Sequence, residues 1–98
     1  MTVEIADLGD WAAAWLVAEY DPSEDTIRVN VRAVAAIRLA LGDVEAERFV
    51  TVATAHERFH RDNPGATEAA AHAFARATCD ADPAAYERIL RSARHALR

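Results

Sequence analysis

From Val31 to its C-terminus the chain reads as helix interrupted at three places, and those interruptions constrain its architecture most tightly. Gly42-Asp43, Asn63-Pro64-Gly65 and Asp82-Pro83 carry the glycine, proline and short polar side chains that end one helix and begin another. The segment Val31–Leu41 spaces Val34, Ile37 and Leu41 at helical intervals, with Gly42 as a C-terminal cap. Asp43 offers an N-cap to a helix running to about Arg61, with Glu45 and Glu47 in the first turn, where the helix dipole favours acids. Thr67 opens a stretch reaching about Cys79. Pro83, pre-set for the first helical position, opens a last one that runs to the C-terminus.

The first thirty residues have a different texture. WLVAEY, DPSED and TIRVN read as strand, turn and strand, because Asp21-Pro22-Ser23 supplies turn chemistry and Ile27, Val29 and Val31 alternate with polar residues. A short helix is expected before them, near Ala6 to Ala14. A length of 98 residues implies one domain, residues 1–98. Hydrophobic content of 52% with 28% charged residues belongs to a chain that can bury a core. A net charge of −5, with basic residues scattered singly, argues against nucleic acid as a partner. The apolar run Trp11 to Ala18 is too short to span a bilayer and lacks the flanks of a signal peptide. The lone Cys79 has no internal disulfide partner and reads as a small inert thiol at a helix end. The expected location is cytoplasmic, with no membrane association.

Chemistry concentrates in residues 53–74. His56-Glu57-Arg58-Phe59-His60 fits H-E-x-x-H. Four residues of α-helix turn about 400°, so the two imidazoles lie about 40° apart and about 6 Å apart along the axis, within reach of one tetrahedral ion. Glu57 is rotated by about 100° from His56, which lets it approach a water on that ion without ligating the metal. Phe49, Val52, Ala53, His56 and His60 share one helix face, so the histidines continue an inward stripe. A two-histidine zinc site needs a third protein ligand. Pro64-Gly65 sits about midway between His60 and Glu68, and in a helical hairpin residues equidistant from the turn face each other, which makes Glu68 the candidate. His72 follows one turn later on the same face, where it can orient a ligand, contact substrate or ligate directly. Trp11, Trp15, Phe49, Phe59 and Phe74 read as core.

With these residues in view, the segment His56-Glu57-x-x-His60 followed by Glu68-Ala69-Ala70-Ala71-His72-Ala73-Phe74-Ala75 resembles the gluzincin type of zinc metallopeptidase. The second stretch is similar to the E-x-x-A-[D/N]-x-F-A motif of the minimal gluzincins and the ImmA/IrrE-like group. The resemblance covers roughly residues 15–76. It implies that zinc is the cofactor, that Glu68 is the third ligand, and that Glu57 is the general base. A peptide or protein substrate would lie as an added strand along a small sheet, expected at Thr26–Asn30. The larger gluzincins also carry a Tyr or His that stabilises the oxyanion, for which Tyr86 and His95 are the residues available, with His72 and Tyr86 placed behind the ligands or against substrate. The chain departs from the family pattern at Arg58, Phe59 and Arg61, and at His72, where Asp or Asn is usual. The expected fold is α+β and mostly helical, a minimal zincin-like domain with a small N-terminal β-hairpin or sheet followed by three helices and H-E-x-x-H on the central one. The function expected is zinc-dependent peptide-bond hydrolysis. The alternatives are a metal-binding interaction module without hydrolytic activity, or a purely structural helical partner of another protein, with a regulatory protein partner possible in either case.

Overall fold

A computed structural model describes residues 1–9 and 17–96 of the chain, with side chains as far as Ala93. It has three strands, β1 (Thr2–Ala6), β2 (Ala18–Asp21) and β3 (Thr26–Asn30), followed by four helices, α1 (Val31–Leu41), α2 (Asp43–Asp62), α3 (Glu68–Cys79) and α4 (Pro83–Ala96). The class is α+β and mostly helical, as expected. The count of three helices is corrected to four, because each helical stretch bounded by a break is a helix in its own right.

The strands form one sheet in the order β1-β3-β2, with β1 parallel and β2 antiparallel to β3. The hairpin turn between β2 and β3 is built by Asp21, whose carboxylate accepts from the Ser23 backbone N–H at 2.9 Å and hydroxyl at 2.6 Å. Asp25 closes the turn at φ 49°, a left-handed conformation that a short polar side chain tolerates. β1 is the largest departure from the sequence reading. Ala6 ends a strand instead of starting a helix, and residues 7–9 are not helical; the rest of the expected helix, with Trp11 and Trp15, lies outside the described residues. The strand was concealed because Val3 and Ile5 remain 40% and 51% exposed, so no buried face marks it. Its backbone partners are supplied by β3, more than twenty residues away.

β3 lies at the centre of the sheet, with Ile27 and Val29 fully buried. Its backbone is paired on both sides, which excludes a peptide adding as a strand along Thr26–Asn30. β2 is an edge strand among the described residues. Asn30 joins sheet to helix: fully buried, it accepts from the Arg32 N–H at 3.1 Å as the N-cap of α1 and donates to the Gly9 carbonyl at 3.0 Å.

Ala33, Val34 and Ile37 of α1 enter the core, while Leu41, expected on the same face, is 45% exposed. Gly42 at φ 93° ends α1 by donating to the Arg38 carbonyl at 2.8 Å, and it is also the N-cap of α2. Asp43 is therefore the first helical residue and not the cap. Its carboxylate pairs with Arg38 at 3.0 Å. α2 buries Ala46, Phe49, Val52, Ala53 and Ala55. Ala71 and Ala75 of α3, both fully buried, let the α3 backbone come close to α2. Pro64-Gly65 makes the turn between them, Asn63 caps α2 by bonding the Phe59 carbonyl, and the Thr67 hydroxyl caps α3 at the Ala70 N–H, 3.1 Å away. Phe59 and Phe74 stack across this hairpin with centroids 5.0 Å apart; Phe74 is 38% exposed and lies at the rim of the core, not in it. Tyr86 and Leu90 of α4 close the core from the other side, with Tyr86 set edge-on to Phe49. No helix of the described residues is long and apolar enough to cross a membrane.

Candidate metal centre

His56 and His60 lie one turn apart near the C-terminal end of α2, and Glu68 is the first residue of α3. The tight turn at 63–67 and the small alanines beneath it bring the two ends together. His60 Nε2 lies 2.8 Å from Glu68 Oε1, His56 Nε2 lies 3.0 Å from Glu68 Oε2, and the two Nε2 atoms are 3.2 Å apart.

Hydrogen bonding alone does not satisfy this triangle. An ionised carboxylate only accepts, so each Nε2 must carry a proton to bond it. Two N–H groups would then confront one another at 3.2 Å with no lone pair between them. The Glu68 side chain is also 73% exposed, where an ion pair with histidine contributes little against water. A cation accepts lone pairs from all three atoms at once. On a tetrahedral zinc with bonds of about 2.0–2.1 Å, neighbouring ligand atoms are about 3.3 Å apart, so the observed spacings need to open by only a few tenths of an ångström. Burial holds the His56 pKa below its usual value, in opposition to the neighbouring Glu68 charge, a shift toward the neutral form in which imidazole ligates a metal.

His56 and Glu68 of this cluster line a cavity of about 330 Å³, while His60 stands behind its wall. Its apolar side is Phe49, Val52, Ala53 and Leu90, and it is met by Ala18, the first residue of β2, and by Val17 just before it. Glu57 faces the same cavity, and burial pushes its carboxyl up to about 7. His72 also reaches this wall, its ring edge-on to that of His56 with centroids 5.0 Å apart. Its Nε2 lies 3.3 Å from Glu87 Oε1 on α4.

Tyr86 lines the cavity too, but its hydroxyl donates to Glu45 at 3.0 Å, and burial, followed by that bond, raises its pKa to about 12. Its proton is thus engaged away from the histidines. The His95 side chain lies outside the described residues. Arg58 is exposed on the outer face of α2 and does not line the cavity; Arg61 turns away toward Asp25 and Asp62. Cys79 is partly buried, with its thiol 3.9 Å from the Thr51 carbonyl, and does not line the cavity.

Sequence reasoning missed Glu87 and Glu45; it read WLVAEY as a strand, but not that the Ala18 end of β2 lies at the cavity wall. Glu87 and Glu45 belong to no motif and reach the site through packing between helices distant in sequence, so no local spacing announces them. No protein-family model, characterised protein or solved structure matches this chain.

Proposed function

We propose that the protein is a zinc-dependent peptide hydrolase in which His56, His60 and Glu68 hold the metal. The observation that carries this reading is the convergence of the two Nε2 atoms on one carboxylate, at 2.8, 3.0 and 3.2 Å, in an arrangement that protons do not satisfy. Zinc bound by these three ligands supplies a Lewis acid that acidifies water and polarises a carbonyl. Glu57, next in sequence to a ligand and facing the same cavity, takes the proton from the attacking water. As the water oxygen bonds the carbonyl carbon and the C–N bond breaks, the Glu57 carboxyl passes that proton to the leaving amine nitrogen. The peptide lies along the outer edge of β2, whose first residue Ala18 is at the cavity wall, and not along β3. The apolar wall of Phe49, Val52 and Leu90 accommodates a hydrophobic substrate side chain.

A second reading keeps the metal and drops the hydrolysis. It is favoured by Tyr86, whose hydroxyl is committed to Glu45 and does not serve a developing oxyanion. The two are separated by Glu57→Gln, which preserves shape and leaves the three ligands intact. For a hydrolase, this variant retains zinc and loses at least about a hundredfold in cleavage of an unfolded protein substrate. Cleavage that survives the substitution removes Glu57 as the base. Wild-type protein that binds zinc no better than His60→Ala removes the ligand set.

A further inference from the structure

The cluster continues past the three closest donor atoms. His72 lies one turn beyond Glu68 on α3, and ligand atoms of His56, Glu68 and His72 all lie within 4.8 Å of one another. Glu87 approaches the same imidazole from α4, with Oε1 3.3 Å from Nε2. That separation matches the about 3.3 Å between adjacent ligands on a tetrahedral zinc. Glu68 faces both histidines of α2 and also has a ligand atom within 4.8 Å of His72, which places its carboxylate between the two pairs of residues. The surroundings suit cations. Glu68 and Glu87 bring two carboxylates to a cavity with no Lys or Arg among its described lining residues.

We infer that His72 and Glu87, with Glu68 as a shared carboxylate, form a second divalent-cation site beside the first. The inference rests on the proposed His56–His60–Glu68 site. The second site is the weaker one. It has two ligands of its own, with side chains 30% and 37% exposed, and they come from different helices.

The test counts zinc on the full chain after the metal has been stripped. The protein is titrated with Zn²⁺ against a chromophoric chelator, and bound zinc is measured by atomic emission after gel filtration, for variants that retain the wild-type far-UV circular dichroism. Wild type is expected to take up two equivalents, the second at least about tenfold weaker. His72→Ala and Glu87→Gln should each keep the tight equivalent and lose the weak one, and His60→Ala should lose the tight one. One equivalent in wild type, lost in His60→Ala and indifferent to His72→Ala and Glu87→Gln, overturns the second site and leaves the first standing. One equivalent that weakens in His72→Ala makes His72 a fourth ligand of a single ion and also overturns it. No uptake in any protein overturns both sites.

Discussion

Replacing Glu68 by glutamine keeps the length of the side chain and its place in the first turn of α3, but removes the charge that faces both histidines. Two of the three short contacts in the cluster belong to this carboxylate, at 2.8 and 3.0 Å. In the unfolded chain the residues of α2 and α3 do not converge, so zinc at the proposed site would bind chiefly the folded state and stabilise it by mass action. At a free zinc concentration a hundred times the dissociation constant, that stabilisation is about 2.7 kcal/mol. For a domain of this size each kcal/mol raises the melting temperature by about 4–8 °C, which gives a shift of about 10–20 °C for wild type. If the substitution weakens binding by about a hundredfold, the same zinc concentration gives only about 0.4 kcal/mol, or a few degrees. Without zinc the two proteins should melt close together, because the Glu68 side chain is 73% exposed and a surface pair is worth about 0–1 kcal/mol. Scanning calorimetry of both proteins, with chelator and then with zinc, measures all four transitions. Equal zinc-induced shifts in wild type and Glu68→Gln would refute the assignment of Glu68, and no shift in wild type would refute a folded-state metal site altogether.

Two further outcomes test the scaffold. Ala71→Leu puts three extra carbons into the fully buried contact between α2 and α3 and should cost about 1–3 kcal/mol while weakening zinc binding, whereas Ala70→Leu on the exposed side of the same helix should do neither; thermal melts and zinc titration of both read this out. Asp21 and Asp25 have folded-state pKa values lowered first by hydrogen bonds from Ser23 and Tyr20, so the stability they contribute is present above their unfolded pKa and is lost as pH falls through the lower folded values; protection of the β2–β3 amides from hydrogen exchange should weaken below about pH 4, and less so in Asp21→Asn.

The helical part of the fold was legible because its signals are local. Gly42, Asn63-Pro64-Gly65 and Asp82-Pro83 act through backbone conformation within a few residues, and the inward stripe of Phe49, Val52 and Ala53 repeats within a single helix. The hairpin register that sets Glu68 opposite His60 was legible for the same reason, since counting outward from one turn suffices. β1 was not legible: it is short, its side chains are exposed, and its identity as a strand depends on hydrogen bonds to β3. The central place of β3 follows from that same pairing and moves the candidate substrate edge from β3 to β2. Tyr86 could be named as a candidate from its chemistry, but only the packing of α4 against α2 reveals that its hydroxyl belongs to Glu45.

By itself, then, the sequence determined where the helices after Asn30 begin and end to within a residue or two, and that two imidazoles and a carboxylate meet across one turn, because these depend on helical periodicity and turn geometry over about a dozen residues. Tertiary structure alone decided which strands are the sheet's edges among the described residues, which groups line the cavity and which acid reaches His72. Each of these is set by contacts between segments far apart in the chain, and such contacts leave no periodic trace in the residues that make them.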